Sequence, residues 1–191
     1  MSYLLTLPLV IPFSTAILAL LFGKTPLIRR GIVLLGSLGL LATSVLIFQT
    51  IREDGILVAQ MGRWAAPFGI TMVADHLSAI MLLLTSIIGL CGILYSFVDI
   101  DERRENYGYY SLLMLLLGAV SGAFLTGDLF NLYVWYELVL ISSFSLLILG
   151  GEKAQIDGAI KYLAINLVAT MMLLCGIVLL YGITGTLNMA D

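Results

Sequence analysis

"GDLFNLYVWYELVLISSFSLLILG", residues 127–150, is an apolar run long enough to cross a bilayer, with a single acid, Glu137, set inside it. Read as a helix entered near Asp128, it puts Glu137 nine residues in, roughly 13 Å deep at 1.5 Å per residue and close to mid-bilayer. A carboxylate there cannot snorkel to either surface, because its side chain is shorter than that of Lys or Arg. Burying it unpaired costs roughly 3 kcal/mol on insertion scales. Its own helix offers little help. Asn131, Ser142, Ser143 and Ser145 do not gather on the Glu137 face at 100° per residue, whereas Tyr133 and Ile141 do.

The rest of the chain supports a membrane reading. Of 191 residues, 61% are hydrophobic and 11% charged, and the mean hydropathy is +1.09, beyond what a soluble domain of this size needs for its core. The net charge of −3 and the lack of any basic, aromatic-interleaved patch leave nucleic-acid binding without an electrostatic footprint. Cys91 and Cys175 each sit in an apolar run without a CxxC or neighbouring His, so they read as small packing residues rather than metal ligands or a disulfide. The first apolar run lacks a basic n-region and a small-residue cleavage site, and is expected to remain in the mature protein.

Six intervals free or nearly free of charge supply about 20 apolar residues each. They predict an all-α membrane bundle of about six transmembrane helices, near 3–22, 31–51, 76–98, 108–126, 129–149 and 158–181, forming one integral membrane domain. Pro8 and Pro12 are expected to kink the first helix, and Gly182, Gly185 and Asn188 to end the last in a loop. The long connection 52–75 contains two strand-like runs, "ILVAQM" and "ITMVA", around "GRWAAPFG", and reads as a short external β-hairpin. Trp64 and Phe68 near its tip read as interfacial anchors.

Basic residues orient the bundle. Lys24, Arg29, Arg30, Arg103, Arg104, Lys153 and Lys161 follow the first, third and fifth helices, against Arg52 and Arg63 on the other side. The positive-inside rule then places the N-terminus outside and those three loops in the cytoplasm of a multi-pass cell-membrane protein. The cluster "DIDERREN", 99–106, reads as a solvated loop.

Four further residues join Glu137 as candidates for a proton or ion pathway. Asp75 precedes the third helix as an N-cap, His76 is the only histidine and stands at the same boundary, Asp128 opens the Glu137 helix, and Lys161 lies near the cytoplasmic end of the sixth. His76 is either an ion-entry group or an interfacial side chain with a wet ring nitrogen. Lys161 can reach Glu137 only through a chain of water. For Glu137 three readings stand: a protonated acid bonded to a neighbouring helix, a switchable proton or cation site, or part of a redox centre. The last would want paired helix histidines or similar ligands.

The stretches "GITMVADHLSAIM" (69–81), "TGDLFNLYVWYELVLISSFSLLILGG" (126–151), "KYLAINLVATMMLL" (161–174) and "LYGITGTLNMAD" (180–191) closely resemble the D subunit of Mrp-type sodium/proton antiporters. The wider family comprises the antiporter-like subunits of respiratory complex I and membrane-bound hydrogenases. The resemblance implies that Glu137 matches an essential glutamate of the fifth helix, paired in the family with a lysine on a broken seventh helix. Further lysines there continue a polar axis through an inverted repeat. This sequence stops at Asp191, ahead of that lysine and of the second repeat, so it reads as a piece of a longer subunit or as a short protein borrowing its partner charge. The expectation is Na+/H+ exchange with other membrane subunits as partners and no organic cofactor. The alternatives are a proton-pumping arm of a redox complex and a non-transporting scaffold.

Overall fold

The computed structural model describes residues 2–23, 25–61 and 69–190. Lys24, Arg63, Trp64 and Phe68 lie outside the described residues, so the hairpin tip and its anchors do too.

The chain order is α1 (Ser2–Phe22), α2 (Pro26–Asp54), β1 (Leu57–Gln60), β2 (Thr71–Ala74), α3 (His76–Asp99), α4 (Glu102–Asn106), α5 (Tyr109–Leu125), α6 (Leu129–Ile148) and α7 (Lys153–Thr184). Five of these helices are long and apolar enough to span a membrane, and α5 is a shorter apolar helix of 17 residues. The six apolar helices are those expected from the sequence, so the Glu137 helix is α6 once the short α4 is counted.

Boundaries moved where local chemistry outweighed hydropathy. The second helix starts at Pro26 rather than near 31, because the Thr25 hydroxyl accepts the Ile28 amide and Pro26 fits the first turn. It runs to Asp54 and stops at Gly55, whose φ of 83° needs a residue without Cβ. The last helix begins at Lys153, with a capping box joining Glu152 and Gln155, and continues to Thr184 before Gly185 turns left-handed. Helix α1 runs unbroken through Pro8 and Pro12.

Helix α1 packs against α2 and α5, α2 against α3, α5 against α6, and α6 against α7. Close approach rests on small residues. A Cβ on Gly36 would collide with Thr15, and one on Gly122 with the Trp135 indole. Two buried clusters result. Leu5, Leu9, Ile47, Ile51, Met72, Leu82 and Leu125 fill the hairpin end, and Ala16, Val33, Leu40, Ile93, Tyr110 and Met114 fill the other.

Strands β1 and β2 are antiparallel, with Leu57 opposite Ala74 and Gln60 opposite Thr71. Two connections extend this hairpin. Met72 bridges Thr126, the Gly127 amide donates to the Thr71 carbonyl at 2.8 Å, and Met189 in turn donates to the Gly127 carbonyl at 2.9 Å. The tail after α7 is a loop, as expected, and is stitched to the entrance of α6.

The reading of 99–106 as a solvated loop holds for most of its side chains and is corrected at Glu105. Residues 102–106 form α4, and the Glu105 carboxylate is fully buried, ion-paired with Arg29 and Arg30. Cys91 and Cys175 also depart from the expected packing role, since both are free thiols facing out of the bundle. An outward apolar face of a spanning helix has the same composition as a buried one, so sequence alone could not separate the two.

Candidate functional site

Helix α6 begins where Asp128 caps it: the Asp128 carboxylate accepts the Asn131 amide at 2.7 Å, and the Asn131 side chain donates to the Thr126 hydroxyl at 2.8 Å. Both residues are buried. This polar knot fixes the helix entrance against the extended hairpin, and Glu137 follows as the ninth residue of the helix.

Glu137 is half-buried, and its Oε1 is enclosed with no hydrogen-bond partner among the described residues. The Tyr133 hydroxyl, one turn earlier, interacts with the Glu137 carboxylate, but the serine hydroxyls of the same helix are engaged elsewhere. Ser142 donates to Leu138, Ser143 to Leu140 and Ser145 to Ile141, each within its own turn. Tyr133 is the one group α6 offers its acid, and Oε1 keeps no hydrogen-bond partner among the described residues. Buried polar groups are paired in the great majority of cases, so an unpaired carboxylate oxygen in a spanning helix needs a functional explanation.

Trp135 carries the other buried side-chain atom of this helix without a hydrogen-bond partner, Nε1. Its indole stacks on Phe13 with centroids 6.2 Å apart and lies over Gly122. Residues two positions apart on a helix are separated by 200°, so Trp135 and Glu137 point to nearly opposite sides. Trp135 locks α6 to α1 and α5, which fixes the direction in which Glu137 projects.

The other candidates divide into two groups. Asp75 caps α3 by accepting the Ser78 amide at 2.7 Å, and that amide holds its carboxyl below the ordinary value of 3.8. Asp75 lines a cavity of about 220 Å³ together with Ser78, Thr126, Gly127 and Asn188. The stitched strands thus bring Asp75 and the Asp128 entrance to one end of the bundle, and His76 stands exposed at that end.

Lys161 is not brought to Glu137. It is exposed on α7 and ion-paired with Asp157 at 2.7 Å, one turn away. The Ser143 and Tyr162 hydroxyls meet at 3.2 Å, which sets the level of α7 against α6. Glu137 is six residues deeper than Ser143, so roughly 9 Å along the axis separates it from the Lys161 level. Among the described residues no cluster of His, Cys, Asp and Glu suits a metal ion.

The polar group that sequence reasoning missed is at the opposite end. Arg29 donates from Nε and Nη2 to the Gly23 carbonyl and from Nη2 to Asn106 Oδ1 at 3.0 Å. Arg30 and the Tyr110 hydroxyl both bond Glu105 Oε1. The available signal was a charge cluster immediately followed by an apolar helix opening on two tyrosines, which is also what an ordinary solvated loop looks like.

Residues 126–191, which include all of α6 and α7, match the family model described as NADH:quinone oxidoreductase/Mrp antiporter, transmembrane. Over its whole length the chain is 42% identical to the D subunit of the Na(+)/H(+) antiporter of Alkalihalophilus pseudofirmus. The chain is similar to the antiporter-like subunit family. It spans 39% of the length of that relative. Among solved structures, the Mrp complex from a Dietzia species matches 98% of the chain and 36% of its own, with a TM-score of 0.87 and 30% identity. The membrane-bound sulfane sulfur reductase, an archaeal respiratory membrane complex, matches 98% of the chain and 38% of its own, also with a TM-score of 0.87, at 28% identity. The family likeness and the apolar helices together make this a membrane protein, and the relatives named as antiporter subunits are transporters rather than enzymes.

Proposed function

We propose that this chain is a subunit, or the N-terminal portion of a subunit, of a multi-subunit monovalent cation/proton antiporter, with Glu137 as the proton-exchanging carboxylate. The observation that carries this reading is the enclosed, unpartnered Oε1 of Glu137 at mid-span of α6. Such a group is costly unless its protonation state does work. The relatives' names supply the cation class, with Na+ and H+ as the exchanged ions. A cationic side chain from another segment or subunit would be the counter-charge that makes proton release favourable, since Lys161 is occupied by Asp157. Asp75, His76 and Asp128 would line the route at the hairpin end. That end would face outside and the Arg29, Arg103 and Lys153 end the cytoplasm, following the basic-residue bias.

A second reading is favoured by one observation, the equal structural likeness to the sulfane sulfur reductase complex. In it the same carboxylate serves a proton-pumping arm driven by redox chemistry in other subunits. A scaffold role, in which Glu137 only bonds a neighbouring helix, is the third.

Glu137→Gln in the assembled complex separates transport from scaffold. It keeps the hydrogen-bonding capacity of a protonated acid but cannot exchange a proton. The complex should form normally on a native gel and lose cation-dependent dye-quench recovery in everted vesicles, while Glu137→Asp retains part of it. Full antiport with Gln at this position ends the proposal. A sodium-independent quench that follows electron donors would support the redox-driven arm.

A further inference from the structure

Two adjoining spaces lie where the end of α1 meets the start of α5. One is an apolar groove of about 230 Å³ lined by Ile17, Leu20, Tyr107, Leu112 and Leu115. The other is a recess of about 50 Å³ lined by Gly23, Arg29, Glu105 and Asn106, and the two share Leu20, Gly108 and Ser111. The recess contains two buried polar atoms without a hydrogen-bond partner, Arg29 Nη1 and Glu105 Oε2, 3.9 Å apart. Arg29 is 8% exposed and Glu105 1%. One orphan is a charged donor and the other a charged acceptor.

A ligand for this place must be apolar along α1 and α5 and must end in a group that both accepts and donates. It must also sit at the boundary end of two spanning helices, which is headgroup depth. We propose that the recess and groove together bind one glycerophospholipid whose headgroup carries an N–H or O–H donor beside its phosphate. A headgroup oxygen accepts from Arg29 Nη1, the terminal ammonium or hydroxyl donates to Glu105 Oε2, and an acyl chain lies along Ile17, Leu20, Leu112 and Leu115. Ethanolamine and glycerol headgroups meet both demands. Choline does not, because its quaternary nitrogen has no hydrogen to give, and Glu105 Oε2 would stay unpaired. An inorganic anion would satisfy Arg29 but face the Glu105 carboxylate, and it would leave the groove unused. The site is independent of Glu137 and of the antiport reading.

The test is native mass spectrometry of the full chain in detergent, titrated separately with dioleoyl phosphatidylethanolamine, phosphatidylglycerol and phosphatidylcholine. One lipid per chain should be retained, with ethanolamine or glycerol headgroups favoured over choline by about tenfold, the scale of one charge-assisted hydrogen bond. The first two titrations show which of these headgroups is preferred. Leu112→Trp, which fills the groove without touching the ion cluster, should abolish retention while leaving the circular dichroism spectrum intact. Glu105→Gln should erase the headgroup preference, because the three lipids differ in the donor offered to Glu105 Oε2, and if that variant fails to fold, Leu112→Trp and the choline comparison still decide. Equal retention of all three lipids, undiminished retention by Leu112→Trp, or no lipid retained would overturn the proposal, the last leaving a recess filled by water alone.

Discussion

Arg30, in the first turns of α2, is ion-paired with Glu105 in α4, 75 residues further on, and the Glu105 side chain has no exposure at all. This pair and Arg29 clamp the α1–α2 turn onto the start of α5. Removing one partner of a buried pair leaves an uncompensated charge, so Glu105→Ala should destabilise the chain by about 3 kcal/mol. The double variant Arg30→Met/Glu105→Met should lose less than Glu105→Ala, because only one guanidinium, that of Arg29 with its bonds to the Gly23 carbonyl and Asn106, then faces Glu105's position. Denaturant titration in detergent micelles measures both. Equal losses would show the clamp to be mere packing.

The Asp75 cap predicts a pH dependence. Its carboxyl is held below the ordinary 3.8 by the Ser78 amide, so folding favours the ionised form. The stabilisation is complete above the unfolded value of 3.8 and fades as the pH falls through the lower folded value. Asp75→Asn should flatten this acid limb of the melting temperature against pH, and Asp75→Ala should cost about 1 kcal/mol near neutrality. An unchanged acid limb in Asp75→Asn would remove the cap as its origin.

Gly127 lies where β2, the α6 entrance and the tail after α7 meet. A Cβ there would stand 2.7 Å from Val73 Cγ2 and 3.3 Å from the Thr71 carbonyl oxygen. Gly127→Ala should therefore destabilise by roughly 1–3 kcal/mol. It should also loosen the tail, seen as faster proteolysis between Gly185 and Ala190. Wild-type proteolysis in this variant would mean that the backbone stitching tolerates the shift.

The orientation proposed from Lys and Arg can be checked with single cysteines in a Cys91→Ser/Cys175→Ser background. Glu53→Cys, beside the hairpin, should react with an impermeant thiol reagent in intact cells, and Glu102→Cys only after permeabilisation. The reverse pattern would invert the bundle.

How far the sequence reached depends on which solvent each residue meets. The two strand-like runs on either side of "GRWAAPFG" announced the paired strands, and hydropathy settled the six apolar helices, because a bilayer imposes one length and one polarity on every span. The isolated charge at Glu137 was visible for the same reason, and so was the Asp75 cap, whose chemistry is confined to four consecutive residues. What sequence could not show needed distant segments to meet. Glu105 looked solvated until Arg29 and Arg30 were folded over it, 75 residues away for Arg30. Lys161 was out of direct reach of Glu137 already in the sequence, but its pairing with Asp157 and the Ser143–Tyr162 contact that sets the level of α7 were not visible there. The tail after α7 was legible as a loop, but not the pairing of its backbone with Gly127. Local periodicity and caps are properties of neighbouring residues, whereas charge pairing and backbone satisfaction depend on separations through space that only the tertiary fold sets.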